Sequence, residues 1–252
     1  MISELLIQKM HDATQVLVLT GAGISAESGL ATFRDPDGHW DQYRPEDLAN
    51  EGAFRRNPRL VQGWYHARRK AVLSALPNPG HRALGALAGL FREFTLVTQN
   101  VDRLHQRSGS DRVIELHGNI QQFHCIECGL DAPEAVFAEI ASGQVACCQI
   151  CGNLVRPAVV WFGESLPKEA LDAAWQAATR AEVVLSVGTS GLVYPAAHLP
   201  LVAKRAGAFI AEVNIAPSAL ASEMDLVLIG KAGDILPTLL DALKNRKKAD
   251  RT

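Results

Sequence analysis

The sequence predicts an α/β fold in which helices cover both faces of a parallel sheet, with a smaller second module added to it. Apolar runs typical of buried parallel strands alternate with helical patterns along most of the chain. Two stretches, residues 35–79 and 117–157, interrupt this alternation, and the second contains all five cysteines. Such alternation is typical of a parallel sheet, so the two interruptions predict insertions that form the smaller module.

The first strand is predicted at residues 16–20, where an apolar run leads directly into a glycine turn. The other strands are predicted at residues 94–98, 113–116, 183–187, 208–213 and 225–229. Helical patterns cover residues 80–91, 168–179, 195–206 and 234–243. We therefore assign residues 1–34, 80–116 and 158–243 to the sheet domain, residues 35–79 to a helical insertion, residues 117–157 to a zinc-binding insertion, and residues 244–252 to a flexible tail.

Composition narrows the class of protein. The chain has 252 residues, is 48% hydrophobic, and carries 25 Lys and Arg against 27 Asp and Glu. A formal charge of -2 excludes a broad basic surface, which argues against nucleic acid as a main partner. No apolar run reaches the roughly 18 residues of a spanning helix, and the N-terminus lacks signal-peptide features. The sequence thus predicts a cytoplasmic protein without a membrane partner.

The glycine turn at residues 21–26 fits the pattern G-x-G-x-x-G/A and directly follows a strand. Such glycines let the backbone approach a pyrophosphate, although a simple tight turn is the alternative reading. A dehydrogenase would have an acidic residue about 20 positions further on, at the end of a second strand. Here a polar loop with Arg34 follows instead, which argues against hydride transfer. Arg34 could face phosphate or form a surface ion pair.

Four of the five cysteines form two C-x-x-C pairs separated by 19 residues. This spacing is typical of a closed tetrahedral Zn²⁺ site, which has no open position for substrate and is structural. The predicted ligands are Cys125, Cys128, Cys148 and Cys151. A redox dithiol is the alternative, and Cys147 is interpreted as a bystander.

Small or polar residues follow five predicted strands. They are the glycine turn, Asn100 with Asp102, His117 with Gly118, residues 188–191, and Asn214. His117 at a strand end is a candidate general base, although a structural histidine is the alternative. Because the carboxyl ends of parallel strands share one edge of the sheet, these residues predict a common nucleotide site.

Together these motifs resemble the sirtuin family. The matching segments are GAGISAESGLATFR (21–34), TQNVDRLH (98–105), HG (117–118), the two cysteine pairs, GTSGLVYPA (188–196) and VN (213–214). They come in the family's order and cover roughly residues 12–235. The resemblance implies a Rossmann-like domain, a smaller zinc-and-helix module, and an NAD-dependent protein lysine deacylase whose acyl-lysine substrate enters the cleft between them.

The resemblance also implies roles for individual residues. In the family's mechanism the acyl oxygen attacks the nicotinamide ribose, nicotinamide leaves, and a histidine matching His117 acts as a base on a ribose hydroxyl. The products are lysine, nicotinamide and O-acyl-ADP-ribose. Asn100 is implied as a second catalytic residue. The implied NAD-binding positions are Gly21, Ala22, Gly23, Ile24, Arg34, Gln99, Asn100, Asp102, Gly188, Thr189, Ser190, Asn214 and Ala232.

For the acylated peptide, the resemblance implies an added strand between residues 160–164 and 191–193, with contacts to Val160, Phe162 and Gly163. Tyr65 and Arg68 resemble a pair in the class III branch of the family, and Ala49 resembles a small residue that widens its acyl pocket. At positions i and i+3 of a helix the pair shares a face and could bind the distal carboxylate of a succinyl, malonyl or glutaryl group. An ordinary tyrosine and a surface arginine are the alternative.

Two other functions fit the same cleft. An ADP-ribosyltransferase or NAD hydrolase would consume NAD without an acylated peptide. A non-catalytic NAD-binding scaffold is a third reading, which the presence of His117, Asn100 and Asp102 argues against.

Overall fold

The fold is described from a computed structural model that covers residues 2–31 and 45–250. Its strands are β1 (Gln15–Thr20), β2 (Glu93–Thr98), β3 (Val113–Glu115), β4 (Gly118–Cys125), β5 (Val155–Val159), β6 (Val183–Val187), β7 (Phe209–Asn214) and β8 (Leu226–Ile229). Its helices are α1 (Glu4–Asp12), α2 (Gly23–Ala26), α3 (Pro45–Leu48), α4 (Glu51–Arg56), α5 (Pro58–Ser74), α6 (Pro79–Ala88), α7 (Leu104–Arg107), α8 (Val136–Ala141), α9 (Lys168–Arg180), α10 (His198–Arg205) and α11 (Ala232–Ala249).

Six strands form one parallel sheet in the order β3-β2-β1-β6-β7-β8. Counted along the chain, this is the order 3-2-1-4-5-6 of a Rossmann sheet, whose order reverses beside the first strand. All six predicted strands are present within two residues of their expected bounds. The predicted Rossmann-like fold class is confirmed.

Helices cover both faces of this sheet. On β1, Val16 and Val18 point into a core shared with α1, α6 and α11, while Leu17 and Leu19 point into a core shared with α9 and α10. Alternate residues of a strand face opposite sides, so a continuous apolar run at this central strand serves both cores. Helix α1, which the sequence analysis did not predict, contributes Leu6 to the first core.

A third hydrophobic core holds the smaller module together. It combines residues 48–72 with residues 120–161, including Phe54, Tyr65, Phe123 and Trp161. Strands β4 and β5 pair antiparallel inside it, separately from the main sheet. The two predicted insertions therefore pack against each other, although the exact domain boundaries stay a prediction.

The predicted flexible tail from residue 244 onward is wrong up to Ala249, where helix α11 ends. Leu243 is buried, and residues 244–249 are held by polar contacts with α1 and with the loop after α6. Arg246 donates to Glu4 and Gln8, and Lys247 donates to the backbone carbonyl of Leu90. The helix continues through this charged segment because Arg246 and Lys247 form hydrogen bonds with α1 and with the backbone after α6. No helix within residues 2–31 and 45–250 combines the length and apolarity needed to span a bilayer.

Candidate active site

The glycine turn after β1 packs directly against the turn after β6. Gly21 N–H donates to Val187 O at 3.0 Å, and Gly23 N–H donates to Gly188 O at 2.8 Å. A Cβ on Gly21 would lie 2.8 Å from Gly188 O, and one on Gly23 would lie 2.7 Å from Gly188 Cα. Gly188 itself has φ +60, and its Cβ would lie 2.4 Å from Ile24 N. The glycines are therefore required by contact between two backbones, whatever ligand they also face.

A buried polar network lies beside this turn. Asn100 Nδ2 donates to Gly21 O at 3.0 Å and to Ser25 Oγ at 3.1 Å, and Ser25 Oγ donates to Asp102 Oδ2 at 2.7 Å. Burial raises the pKa of the Asp102 carboxyl, whereas hydrogen bonds from Leu104 N–H and Ser25 lower it. An amide and a carboxyl held at one strand end suit the donors and acceptors of a carboxamide such as that of nicotinamide.

His117 connects the two modules. Its Nδ1 lies 2.9 Å from the carbonyl oxygen of Gln99, and its own carbonyl accepts a hydrogen bond from Val160 N–H at 3.0 Å. Because a carbonyl can only accept, Nδ1 carries the proton and Nε2 of the neutral ring is left as the basic nitrogen. Burial lowers the pKa of His117, while the bond to Gln99 raises it. The half-buried ring can therefore act as a base at neutral pH.

The remaining predicted NAD positions lie on neighbouring turns of the sheet. Gln99 Nε2 donates to Thr189 Oγ1 at 3.1 Å, and Asn214 Nδ2 donates to Thr189 O at 3.0 Å. Ser190 O accepts from Ala219 N–H at 3.1 Å. The structure thus joins the turns after β2, β6 and β7. Three further positions lie as follows: Ala22 is half-buried in the glycine turn, Ala232 is buried at the start of α11, and Arg34 lies outside the described residues.

Tyr65 and Arg68 lie on α5, and Tyr65 contacts the segment after β5. The Tyr65 hydroxyl accepts a hydrogen bond from Trp161 Nε1 at 2.9 Å. Burial raises the pKa of Tyr65 well above its usual value, so the hydroxyl stays protonated and can still donate. The Arg68 guanidinium lies 5.1 Å from the Trp64 ring centre. Burial lowers the pKa of Arg68, and the nearby Tyr65 raises it.

The predicted peptide-binding segment follows β5. Phe162 is 48% exposed, and its N–H donates to Ala49 O at 2.9 Å. Gly163 has φ +90, a conformation that favours glycine, and Val160 is half-buried. In the opposing segment Leu192 is 54% exposed. Both segments thus present apolar side chains at the surface.

The four predicted zinc ligands lie together. Their sulfur atoms are all within 4.8 Å of one another, with separations of 3.4 Å for Cys125–Cys151 and 3.7 Å for Cys128–Cys148. A Zn–S bond of about 2.3 Å places tetrahedral sulfurs about 3.8 Å apart, so the four thiols fit one Zn²⁺. Cys147 is exposed and is not part of the group.

Each C-x-x-C pair ends in the same turn. Gly129 and Gly152 follow the two pairs with φ +70 and +73, and their N–H groups donate to Cys125 O and Cys148 O. Two similar turns therefore present two thiols each to one centre.

Comparison with known proteins identifies the family. The Sir2 family model matches residues 21–195, more than half of the chain. The chain belongs to the Sir2 family. An "NAD-dependent protein deacylase 2" of Pyrobaculum aerophilum is 46% identical over 249 residues, which are 97% of this chain and 96% of that protein.

Solved sirtuin structures share the whole fold. A complex of a Sir2 homologue with NAD is 41% identical with a TM-score of 0.90, covering 98% of this chain and 95% of that one. A Sir2 complex with a deacetylated p53 peptide and 3'-O-acetyl ADP ribose is 33% identical with a TM-score of 0.89, covering 96% and 98% of the two chains.

Several residues of this sirtuin site were not singled out from the sequence. Ser25 bridges Asn100 and Asp102, and its signal was its place inside the glycine motif. Behind it, His81 Nε2 lies 3.4 Å from Ser25 Oγ. Glu212, fully buried on β7, accepts hydrogen bonds from the N–H and hydroxyl of Ser218. Such contacts between distant segments leave no local pattern in a sequence.

Proposed function

We propose that this sirtuin removes acyl groups from protein lysine side chains with NAD as co-substrate, and that it prefers acyl groups ending in a carboxylate. Relatives at 46% identity or above over nine tenths or more of the chain are named NAD-dependent protein deacylases. Solved relatives bind NAD in one case, and a deacetylated peptide with an acetyl ADP ribose in another. These names support the general reaction, and the acyl preference rests on Tyr65 and Arg68.

The observation that carries the general proposal is the double attachment of His117. Its ring is bonded to the loop after β2, which bears Asn100 and Asp102, and its carbonyl is bonded to Val160 of the predicted peptide segment. A base at this position has the predicted nicotinamide pocket on one side and the predicted peptide strand on the other. That is the arrangement needed for acyl transfer between two bound substrates.

The residues of this chain would then divide the work. NAD supplies the ribose carbon that accepts the acyl oxygen as nicotinamide leaves. Asn100 and Asp102, held by Ser25, would bind and orient the carboxamide. His117 Nε2 would take the proton from a ribose hydroxyl, since its Nδ1 proton is already bonded to Gln99 O.

The proposed acyl preference depends on charge. The Tyr65 hydroxyl can donate to one oxygen of a distal carboxylate, and the Arg68 guanidinium can donate to the other. An anion beside Arg68 would also offset the burial that lowers the pKa of this guanidinium. Arg69, its neighbour, is excluded from this role because it is buried beside Phe137 and donates to Glu134 and Gln121 O.

One panel experiment tests both parts. A single peptide carrying acetyl-, succinyl-, malonyl- or glutaryl-lysine is incubated with the enzyme, with and without NAD, and the products are followed by mass spectrometry. We expect NAD-dependent loss of each acyl group, nicotinamide release, and the highest kcat/KM for a carboxylate-bearing group. NAD consumption that needs no acylated peptide would instead favour an ADP-ribosyltransferase or NAD hydrolase.

We predict that Arg68→Met lowers the ratio of kcat/KM for succinyl-lysine to that for acetyl-lysine. A hydrogen bond to a charged group is worth about 1.5–3 kcal/mol, or about 10–150-fold in this ratio. Lys70→Met, an exposed cation on the same helix, is the matched control and should leave the ratio unchanged. Equal losses on both substrates in Arg68→Met would refute the assignment of the acyl pocket.

Four further interpretations of the sequence stay predictions. They are the domain boundaries, the role of Arg34, the absence of nucleic-acid and membrane partners, and the cytoplasmic location.

A further inference from the structure

Trp161 belongs to the predicted peptide segment, residues 160–164, but neither proposed role uses its side chain. The indole is 2% exposed, and its Nε1–H donates to the Tyr65 hydroxyl at 2.9 Å. The hydrogen of a phenol lies close to the plane of its ring, on one side of the oxygen or the other. Because an incoming N–H occupies one of these sides, the Tyr65 proton is turned to the opposite side.

The ring and the backbone of Trp161 are each held by separate contacts. The Arg156 guanidinium lies 3.5 Å from its ring centre, and the Phe54 ring centre lies 5.1 Å away. Glu164 Oε2 accepts from the backbone N–H of Trp161 at 2.8 Å and from Arg156 Nη2 at 2.9 Å. These contacts fix both the backbone and the ring of Trp161, so the direction of the indole N–H is fixed as well.

We propose that Trp161 is a positioning residue for acyl-group selection, which acts by directing the Tyr65 hydroxyl proton toward a carboxylate beside Arg68. This inference rests on the proposed preference for acidic acyl groups. A hydroxyl free to rotate would donate to the carboxylate for only part of the time, whereas an oriented one loses no rotational freedom on binding. Trp161 therefore influences selectivity without touching the acyl group.

The test is a double-mutant cycle on the ratio of kcat/KM for succinyl-lysine to that for acetyl-lysine on one peptide. Using a single peptide cancels any change in peptide binding by the neighbouring segment. Trp161→Phe keeps an aromatic ring and removes the N–H. We expect it to lower the ratio by about twofold, because a proton free to take either in-plane position points at the carboxylate about half of the time. Tyr65→Phe should lower the ratio by about tenfold or more. The double variant should match Tyr65→Phe alone, because Trp161 acts through Tyr65.

Phe54→Leu is the packing control. It disturbs the packing of the indole ring but keeps the indole N–H. The variant should therefore lower the midpoint of thermal unfolding and leave the succinyl-to-acetyl ratio of kcat/KM unchanged. If Trp161→Phe does not fold, 3-benzothienylalanine at position 161 replaces the N–H by sulfur in a side chain of nearly the same shape. The same fall in the ratio is expected for that protein.

The outcomes separate this inference from the function beneath it. A wild-type ratio near one, unchanged in Tyr65→Phe, would overturn both the acidic-acyl preference and the role of Trp161. A high wild-type ratio that falls in Tyr65→Phe but not after removal of the indole N–H would overturn the role of Trp161 alone. Independent, multiplying losses in the double variant would also overturn it.

Discussion

The two ends of the site are held in place by different means. At the predicted NAD end, the functional residues follow strands of one six-stranded parallel sheet, and backbone hydrogen bonds join the turns that carry them. At the predicted acyl end, Tyr65 and Trp161 belong to distant segments that meet through side chains. In the described part of this module, two strands pair and four cysteines cluster.

The two ends of the site should therefore respond differently to substitutions and to the loss of zinc. A turn between packed strands has its position set by many backbone bonds, so a single side-chain change outside its glycines leaves it in place. A pocket built from side chains depends on a few contacts, and in the same module zinc would close the loops between residues 125 and 151.

Removal of zinc should have the largest effect, and it should act on one end only. We expect Cys148→Ser, or a strong chelator, to abolish deacylation, because structural zinc contributes several kcal/mol to the folding of the segment that binds it. NAD binding by the sheet should persist, as followed by calorimetry on the metal-free protein. Cys147→Ser, a change at the adjacent thiol, is the control and should keep full activity. Retained deacylation in Cys148→Ser would contradict a structural role for the metal.

Replacement of the proposed base should lower deacylation by at least about 100-fold, the usual contribution of a general base. His117→Asn is the sharpest variant, because its amide nitrogen can still donate to Gln99 O while Nε2 is lost. Nicotinamide exchange into NAD should survive, since the base acts after nicotinamide has left. Because burial lowers the pKa of His117, the wild-type rate should fall with acid only below the usual histidine range. A rate near wild type in His117→Asn would remove His117 from the mechanism.

Acid should destabilise the sheet end through two buried histidines. Burial lowers the pKa of His81 to about 4 and that of His105 to about 3, and the two ring centres lie 4.9 Å apart. The unfolded chain, with pKa values near 6.5, therefore binds more protons than the folded one between these limits. Stability should fall as the pH drops from 7 to 5, by about 2 kcal/mol for each histidine.

Urea unfolding of the wild type and His105→Gln at both pH values measures this effect. The difference between pH 7 and pH 5 should be about 2 kcal/mol smaller in the variant. Identical pH dependence in the two proteins would show that His105 is protonated in the folded state.

The smallest expected effect concerns the turn after β6, which carries the predicted NAD position Ser190. Glu212 accepts from Ser218 N–H at 2.8 Å, and the next residue, Ala219, donates to Ser190 O. Glu212→Gln replaces one acceptor oxygen by a donor and should raise the KM for NAD by up to about tenfold, with little change in kcat. Ser218→Ala should act in the same direction. A change in the KM for the peptide instead would place this contact at the other end of the site.

The sequence predicted what local patterns encode. The apolar run of β1, the glycine turn and the two C-x-x-C pairs each express one local constraint, and each lies where it was expected. Helix α11 was ended too early because its basic last turns suggested solvent, whereas Arg246 reaches Glu4 more than 200 residues away. The bond between Trp161 and Tyr65, 96 residues apart, likewise has no local signal.

The adjacent arginines show the same limit. Arg68 and Arg69 are adjacent residues of the same type, so the sequence does not distinguish their roles. Their tertiary contacts do. Arg69 lies 3.6 Å from the Phe137 ring centre and is bonded to Glu134, so it belongs to the interior of the module.

The interlocked glycines have a consequence for the dinucleotide as a whole. No methyl group fits between the turn after β1 and the turn after β6, because their backbones already touch at Gly21, Gly23 and Gly188. One turn is bonded to Asn100, the predicted nicotinamide contact, and the other leads into Thr189, a further predicted NAD position. The two loops must therefore shift together. Neither end of the predicted NAD site can widen or narrow without moving the other.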